Sequence, residues 1–265
     1  MTRDRPIPDR AAPGGLAPAG AATAPRRADL FLVEHGHFES RARAQAAIKA
    51  GLVRIDGRPL ARASDPVAPG ARVEAAPAHP YVSRGGLKLA AALDAFGLDP
   101  RGRTGLDVGA STGGFTDVLL GRGAYHVHAV DVGRGQLHRR LADDPRVTNL
   151  EGTDIRGLDP AVLAPRPDLA GIDVSFIGLR LVLPVLPSLL APGADLVALI
   201  KPQFEAGRAR VGRGGLVRDP AVHAEVCAAV RAELVALGAA ILGLIPSPVP
   251  GGDGNAEFLI GARLS

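Results

Sequence analysis

The sequence contains few of the residues that disulfide, zinc or base-stacking chemistry requires. Its 265 residues include one cysteine, Cys227, and no tryptophan, and aromatic residues make up 3% of the chain. One cysteine excludes a disulfide framework or a cysteine-based zinc cluster within the chain. So few aromatic side chains argue against RNA binding by rows of stacked bases and favour electrostatic and shape recognition. The cysteine usage fits a reducing compartment, so we expect a cytoplasmic protein.

Lysine is almost absent, although the chain is basic. The formal net charge is +4 and the sequence pI is about 9.8, which favours a polyanionic partner. Of the 31 Lys and Arg residues, only three are lysines, namely Lys49, Lys88 and Lys201. Because this chain uses arginine wherever a positive charge suffices, each remaining lysine points to a role that arginine cannot fill.

The sequence also lacks a segment suited to crossing a membrane. The most apolar stretch, residues 181–200, is interrupted by three prolines and an aspartate, which favours a helix, a loop and a strand. Residues 1–25 are rich in Ala, Pro, Gly and Arg without a leucine-rich core, and they predict a disordered tail, not a signal peptide. The seven histidines have no metal-ligand spacing, so no metal site is expected.

A small unit is predicted between residues 27 and 76. Apolar residues at helical spacing predict a helix over 28–34, and Ser40 is placed to cap a second helix that runs to about residue 50. The Asp56-Gly57 pair then predicts a hairpin between short strands.

This unit carries a basic motif. Residues 39–60 read ESRARAQAAIKAGLVRIDGRPL and resemble the S4 RNA-binding domain. The resemblance implies binding to structured RNA through a basic helix face, and a plain solvated face is the alternative. The candidate RNA-binding residues, including one after the linker, are Arg41, Arg43, Lys49, Arg54, Arg58 and Arg84.

From Tyr81 onward, short apolar runs alternate with helical segments. We expect strands at 103–108, 127–132, 147–150, 169–174, 195–200, 239–245 and 257–262. We expect helices near 114–121, 136–141, 179–190 and 220–237. Such a series predicts a parallel sheet covered on both faces, with ligands bound at the carboxyl ends of its strands.

A glycine-rich turn follows the first of these strands. Residues 106–120 read LDVGASTGGFTDVLL, which lacks the Gly-Lys-Ser/Thr of a P-loop but lets a ligand approach the backbone closely. The second strand ends at Asp131, where an acid can accept both hydroxyls of an adenosine ribose or can simply cap a loop. This spacing resembles class I S-adenosylmethionine methyltransferases. The candidate cofactor-binding residues are Asp107, Gly109, Ser111, Thr112, Gly113, Gly114, Phe115, Asp131 and Asp154.

Two of these candidates also suit a purely structural role. Asp154 follows the third strand, where that superfamily often contacts adenine, but local capping also favours an aspartate there. Phe115 is also typical of a core phenylalanine.

Four charged residues, Lys88, Asp173, Lys201 and Glu257, resemble the Lys-Asp-Lys-Glu tetrad of the FtsJ-like ribose 2′-O-methyltransferases. A ribose hydroxyl is a poor nucleophile and must lose its proton as the methyl group moves, so the site needs a base. A free lysine has a pKa of about 10.4, but burial and a nearby second cation lower the pKa of a lysine. Lys201 is therefore the expected base, because arginine stays protonated. The alternative is that Lys88 and Lys201 are salt-bridge residues.

Other methylation chemistries lack their residues. Cytosine C5 methylation needs a cysteine nucleophile, but Cys227 falls mid-helix among alanines and predicts a small buried residue. Methylation of exocyclic amines usually shows an Asp/Asn-Pro-Pro-aromatic turn, whereas residues 173–176 read DVSF.

Seven motifs together resemble the TlyA family, over about residues 27–263. They read YVSRGGLKL (81–89), DVGASTGGFTD (107–117), AVDVGRGQL (129–137), DVSFIGL (173–179), IKPQFEAGR (200–208), VGRGGLVRDP (211–220) and GNAEFL (254–259). The family joins an S4 domain to an FtsJ-like domain and is described as methylating cytidine 2′-hydroxyls in ribosomal RNA. Some members were first named haemolysins. Asp154 departs from the Asn expected in many members.

The resemblance implies an α/β fold, with a class I (Rossmann-like) methyltransferase sheet and a small α+β S4 domain. We expect a disordered tail at 1–25, the S4 domain at 26–77, a linker at 78–83 and the methyltransferase domain at 84–265. S-adenosylmethionine is the implied cofactor, and ribosomal RNA or ribosomal subunits are the implied partners.

Three points stay open on the sequence alone. The chain could be a non-catalytic S4-type ribosome assembly factor, or a haemolysin-like membrane-active protein, although no amphipathic segment supports the second. The loop from Gly212 to Arg218 is expected over the active site, where it touches RNA or only connects two elements. Asn255, beside Glu257, bounds the RNA pocket or only ends a turn.

Overall fold

The computed structural model describes residues 24–251 and 254–265. Within these ranges the chain divides into two units between Pro80 and Tyr81. The predicted tail lies outside the described residues except for its last two positions, Ala24 and Pro25. Among the described helices, none has the length and apolar character that a membrane crossing requires.

The first unit combines two helices with short strands. Its elements are β1 (Arg26–Arg27), α1 (Ala28–Glu34), α2 (Arg41–Lys49), β2 (Val53–Ile55), β3 (Arg58–Pro59), β4 (Pro66–Val67) and β5 (Val73–Ala75). Strands β3, β2 and β5 form one sheet in that order, and β1 pairs with β4. Both predicted helices and the predicted hairpin are confirmed. Asp56 and Gly57 have φ angles of 49° and 76°, as a two-residue hairpin turn requires.

The second unit is a sheet with helices packed against it. Its helices are α3 (Gly85–Phe96), α4 (Gly114–Gly121), α5 (Arg139–Ala142), α6 (Leu186–Leu189), α7 (Pro202–Glu205) and α8 (Pro220–Ala236). Its strands are β6 (Thr104–Val108), β7 (His126–Asp131), β8 (Val147–Glu151), β9 (Leu169–Ile172), β10 (Asp195–Ile200), β11 (Ala240–Pro246) and β12 (Phe258–Arg263). The seven strands lie in the order β11-β12-β10-β9-β6-β7-β8.

The expectation of a fully parallel sheet is wrong at one strand. β10, β9, β6, β7 and β8 are parallel neighbours, but β12 runs antiparallel to both β10 and β11. β11 and β12 follow one another along the chain and pair antiparallel, so these two strands form a hairpin. The reversal places Glu257, which precedes β12, beside Lys201, which follows β10, because Ile200 pairs with Phe258.

β10 shows how the sheet separates two apolar layers. Leu196, Ala198 and Ile200 pack into the core on one face, and Val197 and Leu199 pack into the core on the other. All five side chains are at most 1% exposed. Burying a large aliphatic side chain contributes about 1.5–3 kcal/mol relative to leaving it exposed.

The sequence did not predict helix α3. It begins at Gly85 and Gly86 with no side-chain cap, so the usual start signals are missing. Its Leu89 and Leu93 are nevertheless buried in the core. The Tyr81 ring occupies the space that a side chain at Gly86 would fill. This packing explains why glycine stands at position 86, and no local sequence pattern indicates it.

The segment predicted as helical over 179–190 is helical, but it does not form one continuous α-helix. Pro184 and Pro187 interrupt it, so the segment forms two 3₁₀ turns followed by the four-residue helix α6. The helix predicted over 136–141 is shorter and shifted, at Arg139–Ala142. The other predicted helices and strands of this unit are confirmed within a few residues.

Candidate active site

The turn after β6 is built around a buried carboxylate, Asp107. Its Oδ2 accepts hydrogen bonds from the Thr116 backbone N–H at 2.9 Å and from the Thr116 hydroxyl at 2.7 Å. Its Oδ1 is buried and accepts no hydrogen bond from the described residues. Burial raises the pKa of Asp107 to about 7, although the bonds from Thr116 oppose the increase. Asp107 Oδ1 is therefore a hydrogen-bond acceptor without a donor among the described residues.

Gly109 lets this turn approach the end of β9. It has a φ of +84°, and a Cβ on it would lie 2.5 Å from the Asp173 backbone oxygen. Only glycine adopts that conformation readily and leaves that space. The Asp173 N–H in turn donates to the Val108 oxygen at 2.8 Å, so this contact holds Asp173 beside the glycine-rich turn.

Asp131, at the end of β7, ties two turns together. Its Oδ2 accepts from the Ser111 N–H at 2.8 Å, and its Oδ1 accepts from the Gly133 N–H at 2.7 Å. Capping by Asp131 is thus present in the structure, and its carboxylate also lines the larger cavity described below. Ser111 and Thr112 are exposed on the glycine-rich turn.

The remaining glycines of this turn allow tight packing. Gly113 immediately precedes α4 and has a φ of +93°, and a Cβ there would meet the side chains of Leu137 and Leu141. A Cβ on Gly114 would collide with the Ser83 hydroxyl. These two glycines therefore bring α4 close to its neighbours.

Asp154 and Phe115 both have structural roles. Asp154 caps a 3₁₀ turn and pairs with Arg156 at 2.5 Å, and the hydrogen bonds from Arg156 lower the pKa of Asp154 to about 2. It also lines the larger cavity. Phe115 is 2% exposed and packs against Gly171, as expected for a core residue, and it borders the smaller cavity.

Two cavities meet at the carboxyl ends of β6, β7, β9 and β10. The larger has a volume of about 820 Å³ and the smaller about 270 Å³. Gly109, Ser111, Asp173 and Ser175 line both cavities. A ligand in the larger cavity can therefore meet one in the smaller cavity at these residues.

The residues present fit S-adenosylmethionine. The larger cavity lies within the range of roughly 300–1,000 Å³ typical of small-molecule sites. Val132, Ile177 and Leu181 give it apolar walls for an adenine ring, and Asp131 offers carboxylate oxygens for ribose hydroxyls. The unused oxygen of Asp107, which lines the smaller cavity, suits the ammonium group of the methionine part.

The four predicted tetrad residues come together beside the smaller cavity. Lys88 lies on α3, Asp173 follows β9, Lys201 follows β10 and Glu257 precedes β12. They form two ion pairs, with Lys88 Nζ 2.5 Å from Glu257 Oε2 and Lys201 Nζ 2.6 Å from Asp173 Oδ1. The two lysine side chains are 10% exposed, and Lys88, Asp173 and Lys201 line the smaller cavity. Both lysines therefore form salt bridges, as the alternative interpretation expected, and both also line the smaller cavity.

Lys201 has a further polar partner that the sequence did not indicate. Its Nζ donates a hydrogen bond to Ser175 Oγ at 2.8 Å. Ser175 lies in the turn after β9, within the family motif DVSFIGL at residues 173–179. The motif alone does not show which of its side chains contacts Lys201.

Two aromatic rings lie at the mouth of the site. Phe176 is 92% exposed, with a φ of 64°, and its ring centroid is 5.3 Å from that of Phe204. Phe176 lines the larger cavity. Sequence reasoning missed both residues because a low aromatic content says nothing about where the few aromatics are placed. An exposed ring beside a cavity can stack on a nucleobase.

A buried aspartate holds the segment that leads into α3. Asp117 accepts from the Val82 N–H at 2.8 Å and from Arg140 at 2.9 Å. Val82 is buried and belongs to the second unit. This bond fixes the chain just before Arg84 and Lys88. The limits predicted for the linker and the two domains stay predictions.

The loop between α7 and α8 is fixed by a buried amide. Asn255 is 2% exposed; it accepts from the Val217 N–H at 3.0 Å and donates to the Gly215 oxygen at 2.9 Å. Arg213 and Arg218 are exposed on this loop. Asn255 therefore connects an arginine-bearing loop to the strand entry that carries Glu257.

Three of the candidate RNA-binding residues already have partners in the protein. Arg41 donates to the buried carboxylate of Asp29 at 2.8 Å. Arg43 pairs with Glu39 at 3.3 Å. Arg54 donates to a backbone oxygen of its own hairpin at 3.0 Å. Side-chain hydrogen bonds from Arg27 and Arg41 hold the pKa of Asp29 well below its usual range, so Arg41 helps to stabilise the first unit.

The other three candidates differ in position. Lys49 and Arg58 are exposed on the first unit, at the end of α2 and in β3. Arg84 is exposed on the second unit and lines the smaller cavity. Arg84 therefore borders the same cavity as the tetrad lysines Lys88 and Lys201.

Cys227 has the environment of an inert thiol. It is 6% exposed within α8, and burial raises the pKa of its thiol to about 11. A protonated, buried thiol is a poor nucleophile. The expectation of a small buried residue is confirmed.

This fold and this site are those of a class I methyltransferase that uses S-adenosylmethionine. Family comparisons agree with the geometry. The FtsJ-like methyltransferase family matches residues 81–264, and the S4 domain family matches residues 26–73.

Curated relatives and solved structures cover most of the chain. It is 46% identical over 239 residues to the 16S/23S rRNA (cytidine-2′-O)-methyltransferase TlyA of Mycobacterium tuberculosis, covering 89% of each chain. It is 35% identical over 234 residues to Hemolysin A of Brachyspira hyodysenteriae, covering 88% of this chain and 98% of that one. A solved structure of a candidate hemolysin from Streptococcus thermophilus is 42% identical, with a TM-score of 0.72, and covers 92% of this chain and 90% of that one. The chain belongs to the TlyA family, in which an S4 domain precedes an FtsJ-like methyltransferase domain.

Proposed function

We propose that this protein is a ribosomal RNA (cytidine-2′-O)-methyltransferase that transfers a methyl group from S-adenosylmethionine to a ribose 2′-hydroxyl. One observation carries the proposal: the ion pairs Lys88–Glu257 and Lys201–Asp173 lie beside the smaller cavity, next to a larger cavity that fits the cofactor. Two buried lysines at that junction suit a reaction that removes a proton from a neutral hydroxyl. The substrate is proposed from the curated TlyA relatives, whose names specify it.

The cofactor-binding roles follow from the turns. Asp131 is proposed to hold the ribose of the cofactor, and Asp107 its methionine ammonium. The glycine-rich turn from Gly109 to Gly114, with Ser111, Thr112 and Phe115, is proposed to border the methionine part. Asp154 is proposed at the adenine end, where its pairing with Arg156 leaves it at the cavity wall. The bound cofactor supplies an electrophilic methyl group on a sulfonium sulfur.

The protein's own residues then act on the acceptor hydroxyl. Lys201 Nζ accepts the proton of the 2′-hydroxyl as the new oxygen–carbon bond forms and the carbon–sulfur bond breaks. Asp173 balances the positive charge that Lys201 gains, at 2.6 Å. Lys88, held by Glu257, keeps a positive charge beside the oxygen as negative charge develops on it. Positioning by these groups supplies much of the rate enhancement.

RNA recognition is proposed for basic residues in both units. Residues 26–77 are proposed as the S4 domain that binds structured RNA, with Lys49, Arg58 and the arginines of α2 facing phosphates. Residues 84–265 are proposed as the catalytic domain, in which Arg84 contacts the strand that carries the target ribose. Ribosomal subunits are the proposed partners, and a cytoplasmic location is proposed with them.

The test measures methyl transfer from labelled S-adenosylmethionine to isolated ribosomal subunits. Lys201→Ala and Lys201→Arg should each lower the rate by about 10²–10⁴-fold, because neither alanine nor arginine can accept the proton. Arg139→Ala, at a side chain that is 92% exposed and lines neither cavity, should leave the rate unchanged.

Two results would contradict this proposal. Undiminished methylation by Lys201→Arg would show that a fixed charge suffices and that Lys201 is not the base. A wild-type protein that binds ribosomal subunits but neither binds the cofactor nor transfers a methyl group would indicate a non-catalytic assembly factor.

A further inference from the structure

The two polar contacts of Lys201 differ in kind. Its Nζ lies 2.6 Å from Asp173 Oδ1, but that oxygen makes no contact with hydrogen-bond geometry to any described residue. The contact with Ser175 Oγ, at 2.8 Å, does have hydrogen-bond geometry. Asp173 therefore attracts Lys201 electrostatically, and this attraction depends little on the orientation of Nζ. The hydrogen bond to Ser175 does depend on that orientation.

Ser175 lies at the junction of the two cavities, where the orientation of Lys201 Nζ matters for methyl transfer. It lines both cavities, whereas Lys201 lines only the smaller of these two. The next residue, Phe176, has a φ of 64°, a left-handed backbone conformation that is strained for a bulky residue. Despite this strained residue, the turn holds the Ser175 hydroxyl in contact with Lys201 Nζ. The contact lies where the two cavities meet, so the methyl donor and the acceptor hydroxyl would meet there as well.

We propose that Ser175 is a positioning residue for methyl transfer, and that its hydroxyl fixes the direction in which Lys201 presents its basic nitrogen. The inference rests on the proposed 2′-O-methyltransferase activity. A neutral primary amine has two N–H bonds and one lone pair. When one N–H donates to Ser175 and Asp173 attracts the other side of the nitrogen, the lone pair is left for the cavity. Without the serine, Nζ can rotate about the last bond of the side chain, and the lone pair is no longer directed at the substrate.

A purely structural role predicts a different outcome. Ser175 is exposed and forms its one described side-chain hydrogen bond with Lys201. Replacing such a surface residue normally leaves the stability of the folded protein nearly unchanged. A loss of rate in Ser175→Ala at unchanged stability would therefore come from the orientation of Lys201.

The experiment compares four proteins under single-turnover conditions with ribosomal subunits and labelled S-adenosylmethionine. They are the wild type, Ser175→Ala, Ser175→Thr and the control Ser188→Ala. Ser188 is an exposed serine that donates to a backbone oxygen at 2.8 Å and lines neither cavity. For each protein we measure the transfer rate at saturating substrate, the substrate concentration at half-maximal rate, cofactor affinity by calorimetry and the melting temperature.

Ser175→Ala should lower the saturating rate by about 10- to 100-fold, the range expected when a reacting group loses its alignment. Half-saturation, cofactor affinity and melting temperature should stay near their wild-type values. Ser175→Thr, which keeps the hydroxyl, should recover most of the rate, and Ser188→Ala should match the wild type.

Three outcomes would overturn the inference. Ser175→Ala could transfer at the wild-type rate, Ser175→Thr could remain as slow as alanine, or the loss in Ser175→Ala could be confined to substrate half-saturation or cofactor affinity. In each case an active wild type shows that the proposed function stands without the positioning role. A wild type that transfers no methyl group to ribose removes the proposed function itself, and the inference with it.

Discussion

Buried aspartates at the two ends of the central sheet differ in their hydrogen-bond partners. At the amino end of β10, Asp195 is 3% exposed and accepts hydrogen bonds from Arg103 and Arg263, each at 2.7 Å. At the carboxyl end of β6, Asp107 is fully buried without an arginine partner, and one of its oxygens is unused by the described residues.

The two carboxyl groups consequently differ in their pKa. Burial raises the pKa of each one. At Asp195 the bonds from Arg263 and Arg103 outweigh burial, and the pKa is lowered. At Asp107 burial dominates, and the pKa is raised to about 7. At the amino end of β10 the charge of Asp195 is paired, which stabilises the fold. At the carboxyl end of β6, Asp107 keeps an oxygen that is unpaired among the described residues and that a ligand can bind.

The largest expected effect is at the stabilising end. Asp195→Ala should lower the free energy of unfolding by about 3 kcal/mol, because it leaves two arginines next to the sheet without their shared carboxylate. Chemical denaturation measures this change. The control is Asp94→Ala, which removes an exposed partner of Arg122 and should cost no more than about 1 kcal/mol. Equal losses in the two variants would show that Asp195 is no more important than a surface ion pair.

The next effect is at the binding end. Asp107→Asn should weaken binding of S-adenosylmethionine by about 10- to 100-fold, because it removes the charge that is proposed to receive the methionine ammonium. The same change should raise the melting temperature of the ligand-free protein, because a neutral amide replaces a carboxyl group whose ionisation is costly when it is buried.

Calorimetry and thermal unfolding of the same samples check both parts of this prediction. Asp143→Asn is a suitable control, since Asp143 forms an exposed pair with Arg139 and should change neither quantity. Unchanged cofactor affinity in Asp107→Asn would remove the contrast between the two ends.

The smallest expected effect is in the pH dependence of cofactor binding. The folded-state pKa of Asp107 is about 7, above its ordinary value of 3.8. The folded protein therefore binds this proton more tightly than the unfolded chain, and stability falls as pH rises from about 4 to about 7. Above that range the carboxylate is ionised and can receive an ammonium group.

Cofactor affinity should then increase several-fold between about pH 6 and about pH 7.5. Affinities measured by calorimetry across this range provide the check, with Asp107→Asn expected to show a flatter profile. Parallel profiles for the two proteins would assign the pH dependence to another group.

The sequence was sufficient for the parts of the molecule that depend on short motifs. The Asp56-Gly57 hairpin, the glycine-rich turn after β6 and the strand ends at Asp131 and Lys201 are all set by local residue types, and they lie where the patterns place them. The near-absence of lysine also singled out Lys88 and Lys201, and the fold brings both to one cavity.

The parts that depend on long-range packing could not be predicted in the same way. Helix α3 begins at two glycines because the Tyr81 ring occupies the space beside Gly86, a contact that no helix-start rule describes. The antiparallel direction of β12 follows from its hairpin with β11. Ser175 was missed because its importance comes from the position of Lys201, 26 residues later in the chain.

We propose that Lys201 removes a proton from a ribose hydroxyl. The most direct test digests ribosomal RNA, after incubation with the protein and S-adenosylmethionine, to nucleosides and identifies the methylated product by mass spectrometry. We expect 2′-O-methylcytidine from the wild type and none from Lys201→Arg. A methyl group on the base, or equal 2′-O-methylcytidine from both proteins, would contradict the claim.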